Sequence, residues 1–175
     1  ENAERVFPNA VVKDNGTFYF FFDSGYHNKT RIPQFAVNVA TSKNGIHFEP
    51  LKENILMPGP KGSWDDQAVS QAAVRKVDDW WYMIYSGFPK DAWKFAQQFG
   101  LARARKPEGP WEKYPGNPIF TATGDKEDWD GEFLQHACPV KIDGKWHLYY
   151  AGNDLNPNKN VYRTGVAIRQ DDSSE

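Results

Sequence analysis

The sequence predicts an all-β fold made of β-propeller blades, four-stranded antiparallel sheets repeated about three times at intervals of 63–65 residues. Three observations carry this. Trp64-Asp65 returns as Trp129-Asp130, and the same offset of 65 residues takes Ala72 to Ala137, Trp81 to Trp146, Tyr85 to Tyr150, Gly87 to Gly152, Gly100 to Gly165 and Ala102 to Ala167, with no gap. A looser copy lies about 63 residues upstream, where Asn15-Gly16 falls on Asp78-Asp79, Phe18 on Trp81, Phe22 on Tyr85 and Phe48 on Trp111. Within each copy, short runs rich in β-branched and aromatic residues are separated by turn chemistry, as strands require.

The second copy shows the elements most plainly. Val69 to Lys76 reads as a first strand, Asp78-Asp79 as a turn and Trp80 to Ser86 as a second strand. Phe99 to Arg103 is a third, and Trp111 to Tyr114 a short fourth entered through Pro107-Glu108-Gly109-Pro110. Asp14-Asn15-Gly16 and Asp143-Gly144 are hairpin turns, whose positive φ Asn, Asp and Gly tolerate. Helix has one candidate, the amphipathic stretch Asp91 to Gln98, which reads equally well as an irregular excursion, so a helical solenoid is set aside. The expected organisation is one domain over residues 1–175, with repeats at approximately 5–62, 63–127 and 128–172. The third copy stops near Ile168, before any counterpart of Trp111 to Tyr114. Three blades do not close a ring, so the expectation is a partial propeller, part of a longer one, or a ring completed by self-association.

Composition narrows the partners. The 39% hydrophobic content can bury a core, and 21 basic against 23 acidic residues leave a net charge of -2. That balance gives no electrostatic reason to expect nucleic acid or an anionic membrane, and points to a neutral ligand. The 7 Trp, 8 Tyr and 12 Phe suit strands and also stacking on sugar rings. Cys138 is the only cysteine, which excludes an intrachain disulfide and a zinc thiol cluster. No apolar run approaches the roughly 18 residues that span a bilayer. The chain starts at Glu1 rather than Met, which leaves room for a removed leader or further sequence.

The stretch Trp64-Asp65, Val74, Trp80-Trp81-Tyr82-Met83-Ile84-Tyr85-Ser86-Gly87 and Gly100-Leu101-Ala102, repeated from Trp129 to Ala167, resembles the blade signature of the five-bladed glycosidases. That broad set contains glycoside hydrolase families 32, 43, 117 and 130. The resemblance covers essentially the whole chain, for about three of the five blades it implies. It implies an oligosaccharide or polysaccharide partner and, for many such proteins, export to a secreted or periplasmic location; a single free thiol is also compatible with the cytoplasm. It further implies catalytic carboxylates near the start of each innermost strand. Glycoside hydrolysis uses two carboxyl groups about 5 Å apart for retention or roughly 6.5–9.5 Å apart for inversion. Here Phe7-Pro8-Asn9-Ala10-Val11 resembles the family 32 stretch Asp-Pro-Asn-Gly-Leu with Phe7 in place of the nucleophile. Ala137-Cys138-Pro139 resembles its Glu-Cys-Pro with Ala137 in place of the acid, and neither role is carried over.

The copies themselves separate scaffold from site, because a residue the blade needs recurs and a residue of one axial site need not. Trp64/Trp129 and Asp65/Asp130 recur, which favours a structural role, with Trp129 and Asp130 retained as sugar-binding candidates. Asp66/Gly131, Gln67/Glu132, Ser70/Gln135 and Gln71/His136 do not recur, and all lie in or just before an innermost strand. His136 is the candidate general acid, since imidazole titrates near neutrality, with Asp66 or Glu132 as base or hydroxyl acceptor. Asn9, Gln71 and Gln135 are candidate saccharide ligands. The reading is thus a carbohydrate-active protein that binds a neutral saccharide near the axis and hydrolyses a glycosidic bond. Its alternatives are a non-catalytic sugar-binding relative and a self-associating structural propeller. His27, His47 and His147 lack metal-ligand spacing and no cofactor is expected, although the oxygens of Asp125-Lys126-Glu127-Asp128 suit a structural Ca2+. Asn15-Gly16-Thr17 and Asn28-Lys29-Thr30 match the N-glycosylation triplet.

Overall fold

The computed structural model describes residues 5–27, 33–90, 98–154 and 161–168. Among the described residues, twelve strands form three antiparallel sheets and there is no helix. The first sheet contains β1 (Arg5–Asp14), β2 (Thr17–His27), β3 (Pro33–Ser42) and β4 (Glu49–Leu56), in that order. The second runs β5 (Ala68–Val77), β6 (Trp80–Phe88), β7 (Gln98–Ala104) and β8 (Glu112–Lys113), with β9 (Phe120–Thr121) also paired to β7. The third holds β10 (Phe133–Ile142), β11 (Lys145–Asn153) and β12 (Arg163–Ile168). The Asp91 to Gln98 stretch, except Gln98 at the start of β7, lies outside the described residues, as does the Asn28 triplet.

Consecutive strands pair with their neighbours, so each sheet is a meander, which is the connectivity of a propeller blade. The turns behave as their residues require: Asn15 and Gly16 have φ of 45° and 74°, and Asp143 and Gly144 of 48° and 84°. The fourth strand of the second sheet is shorter than the Trp111 to Tyr114 expectation. Trp111 turns inward instead, donating its indole N–H to the Pro107 carbonyl at 3.0 Å and setting its ring edge-on to Phe21.

Alternation along the strands decides what is buried. On β2, Phe21, Asp23 and Gly25 point inward, and on β6, Trp81, Met83 and Tyr85 do so. Phe21, Val37, Val39, Val69, Val74, Met83 and Tyr85 meet in one core between the first and second sheets. A smaller core of Phe99, Leu134, Ala137 and Tyr150 joins the second sheet to the third. Each fully buried large side chain is worth about 1.5–3 kcal/mol of transfer free energy, so these two cores hold the sheets face to face. The innermost strands β1, β5 and β10 lie side by side in space, β5 in contact with both of the others, and this places the axis along them.

A recurring clasp closes each later blade. Trp64 stacks on Tyr85 with centroids 5.6 Å apart, and Trp129 on Tyr150 at the same distance. The indoles leave no room for a side chain beside them: a Cβ on Gly87 would sit 2.1 Å from Trp64, and one on Gly165 would sit 2.5 Å from Trp129. Glycine recurs at these positions because the ring needs the space.

Candidate functional site

All three innermost strands break register near their starts. The irregularity falls between Pro8 and Ala10 on β1, between Ser70 and Ala73 on β5, and between Gln135 and Cys138 on β10. Gln71 and His136 take φ of 55° there, the left-handed region. Of the six non-glycine residues with positive φ among the described residues, four are Asn or Asp, which accept it readily; Gln71 and His136 are the two in innermost strands. A bulge with left-handed backbone re-aims a side chain, and here it does so at one end of the axis.

The bulges are joined by a hydrogen-bond relay that crosses all three sheets. Asp23 of β2, 1% exposed, receives the Asn9 side-chain amide and the Gln71 backbone N–H (3.1 Å) on one oxygen, and the Ser70 hydroxyl (2.6 Å) on the other. Gln71 then accepts from the Ser86 hydroxyl at 3.0 Å and from the His136 backbone N–H at 3.2 Å, both on Oε1. Burial pushes the Asp23 carboxyl above its ordinary range, against the opposing pull of the Ser70, Asn9 and Gln71 donors.

The structure thus gathers Asn9, Gln71 and His136 at one place. The His136 side chain is exposed, while Gln71 and Asn9 are half-buried and engaged in the relay. Gln135 is half-buried and pairs with Ala151. Asp66 and Glu132 lie just ahead of β5 and β10, in the entering loops. Both Asp66 oxygens are occupied, by the Gly62 N–H at 2.7 Å and the Lys90 N–H at 2.8 Å. Glu132 is partly exposed, with Lys126 Nζ at 3.9 Å. Among the described residues no hydrogen bond or ion pair joins Asp66, Glu132 and His136 to one another. Asp130 accepts from the Tyr150 hydroxyl at 2.5 Å beneath the Trp129 ring. Asp65 likewise accepts from Tyr85 at 3.3 Å and Lys113 at 2.5 Å. Burial, reinforced by these carboxylates, drives both phenols far above the ordinary tyrosine range.

Asp23, the centre of the relay, escapes the sequence reading because it ends an aromatic run from Phe18 to Phe22. The same test of recurrence, applied to the second strand of each copy, finds it: Asp23 falls on Ser86 and Ala151, three different residues. No group of three or more His, Cys, Asp or Glu among the described residues is placed to hold a metal ion. In the acidic loop, Asp128 accepts from the Thr123 hydroxyl and Asp125 from the Glu127 N–H.

The sequence profile of Glycosyl hydrolases family 43 matches residues 7–170, nearly the whole chain. The chain belongs to that family. Among curated proteins, this family 43 chain is 24% identical to a beta-1,2-mannobiose phosphorylase of Thermoanaerobacter sp. (strain X514), over 94% of this chain and 70% of the relative. Among solved structures it is similar to a family 117 glycoside hydrolase produced by the marine bacterium Zobellia galactanivorans. The TM-score is 0.77 and the identity 19%, over 95% of this chain and 53% of that one. A GH32 beta-fructofuranosidase of Bombyx mori in complex with sucrose gives a TM-score of 0.75 at 18% identity, over 97% of this chain and 35% of that one. The family 43 chain therefore has the fold of propeller glycosidases, and spans about half of the first of these structures and about a third of the second.

Proposed function

We propose that this family 43 chain supplies three blades of a carbohydrate-active propeller that binds a neutral saccharide at the bulged end of the axis. The observation that carries the reading is the relay from Asn9 through Asp23 and Gln71 to His136, which fixes strained backbone where an axial ligand would lie. In this reading Asn9, Gln71 and Gln135 offer amides to sugar hydroxyls, and the exposed His136 imidazole donates the proton to the leaving oxygen. Glu132, partly exposed and free of short hydrogen bonds, acts as the accompanying carboxylate, and Asp66 braces the loop through Gly62 and Lys90. Trp129 and Asp130 hold the third blade behind the site. Further blades close the ring, from continuing chain or from a second copy. Exposed Val166 and Ile168 on β12, and Val6, Phe7 and Val11 on β1, are apolar surface that such blades would cover.

A second reading, sugar binding without turnover, is favoured by Phe7 and Ala137 at the carboxylate positions and by the full engagement of Asp66. Calorimetric titration and product analysis with β-1,2-mannobiose, sucrose and xylotriose separate the two. For an enzyme, at least one sugar binds and is cleaved, and H136A lowers turnover about 100-fold or more while affinity changes little. For a binding protein, affinity falls about tenfold in Q71A and no sugar is turned over. Failure of all three to bind would sink both.

A further inference from the structure

The hairpin ends of the innermost strands, remote from the bulges, repeat a second arrangement. Lys13 pairs with Phe18, Lys76 with Trp81 and Lys141 with Trp146, each one step inside the turn. Lys13 Nζ lies 4.9 Å from the Phe18 ring centroid and Lys76 Nζ 5.8 Å from that of Trp81. Between the first and second sheets the arrangement is complete. Asp14, the last residue of β1, sets both carboxylate oxygens 2.8 Å from Lys76 Nζ, and Tyr19 packs edge-on to Trp81 at 5.3 Å.

Between the second and third sheets it is not. The position equivalent to Asp14, last on the strand before the turn, is Val77, paired with Trp80 as Asp14 is with Thr17. Among the described residues Lys141 consequently has no carboxylate beside it and makes no ion pair. A cleft of about 340 Å³ opens there, lined among others by Trp146, Val77, Arg75, Lys76 and Lys141. Among the described residues Arg75 also has no acid partner, and donates to the Val74 carbonyl at 2.9 Å and to the Cys138 sulfur at 3.9 Å. The nearby turn acids Asp78 and Asp79 are exposed and pair with neither cation.

We propose that this cleft binds the carboxylate of an acidic sugar unit. The carboxylate takes the place beside Lys141 that Asp14 occupies beside Lys76, with the Arg75 guanidinium next to it, and the pyranose ring lies against Trp146. A cation in a partly apolar cleft, facing no acid among the described residues, is the arrangement in which a charge-assisted hydrogen bond contributes most. The volume lies at the small end of ligand pockets, about 300–1,000 Å³, and suits one or two sugar units. The cleft is at the opposite end of β5 and β10 from the bulges, so the inference does not depend on the axial reading.

The test compares three probes by calorimetry at low salt: digalacturonate, its neutral methyl ester and acetate. Digalacturonate is expected to bind at least tenfold more tightly than the ester or acetate, and more weakly as salt is raised. K141M should lose tenfold or more. V77D, which supplies the missing carboxylate from within, should lose as much and melt at a higher temperature than the parent. K13A, altering the equivalent lysine of the first sheet, should bind as the parent does. Equal binding of acid and ester, or of digalacturonate and acetate, would overturn the proposal, as would unaltered affinity in K141M or no binding by the folded parent. If V77D fails to fold, K141M decides.

Discussion

Replacing Asp23 with alanine tests whether the relay holds the three sheets together or only decorates them. The substitution removes the acceptor for three donors: the Asn9 amide, the Ser70 hydroxyl and the Gln71 backbone N–H. A buried donor left without a partner costs about 1–3 kcal/mol. Asn9 is half-buried and regains water, and the Ser70 hydroxyl can rotate, so the Gln71 N–H, fixed in the bulge, bears the largest loss. Against this stands relief from burying a carboxylate, whose raised pKa records that penalty. The net expectation for D23A is about 3 kcal/mol in urea denaturation, which for a chain of this length is roughly 6–12 °C in Tm. D23N keeps one oxygen for Asn9 and Gln71 and presents its amide to a hydroxyl that can accept, so it should cost about 1 kcal/mol. The gap between parent and D23N should widen as pH is lowered towards the ordinary Asp value of 3.8. A carboxyl with a raised folded pKa contributes stability that is present below its unfolded pKa and lost as pH rises through the folded one. A D23A cost under about 1 kcal/mol, or equal costs for D23A and D23N, would refute the argument.

Two further outcomes follow from the clasp. Tyr85 is raised by burial and by Asp65 beside it, so its stabilising contribution is present below the ordinary value of 10.0 and declines as pH rises beyond it. Ultraviolet titration should therefore show Tyr85 staying neutral until the chain unfolds, and Y85F should soften the alkaline loss of stability; a Tyr85 that titrates in the folded chain near 10 would contradict the burial argument. Gly87→Ala forces a Cβ to within 2.1 Å of the Trp64 ring, and should lower stability by about 2–3 kcal/mol with loss of the near-ultraviolet circular dichroism of the indole; a neutral effect would mean that the indole moves freely.

Much of the blade was legible because its demands are local and recur. Trp64 with Gly87 and Gly100, and Trp129 with Gly152 and Gly165, announce one steric solution used twice. The turn residues likewise carry their positive φ in their identities, and strand limits such as Ala68–Val77 against the expected Val69 to Lys76 differ by one residue at each end. What a strand pattern does not carry is the partner across a blade junction. Asp23 reads as one more position of a β-strand until Ser70 and Gln71, 47 and 48 residues away, are set against it. The pairing of β9 with β7 was missed for a similar reason: Phe120-Thr121 is too short to show a period, and its place is set by Phe120 stacking on Phe99 and meeting Tyr150 edge-on. The hairpin cleft between the second and third sheets depends on an absence, Val77 where Asp14 would be, which acquires meaning only once the registers are aligned.

The left-handed backbone at Gln71 and His136 sets natural selection and laboratory selection at odds. Each of these residues sits where Gly or Asn would relieve about 1 kcal/mol of conformational cost. A library screened only for heat resistance would drift towards those two amino acids at 71 and 136, and would do so most readily at 136, whose side chain is exposed and whose link to the relay is made by backbone alone. Variants enriched in that way would be sturdier blades with blank axial ends, and retention of Gln and His under such pressure would itself report that a ligand is being selected for.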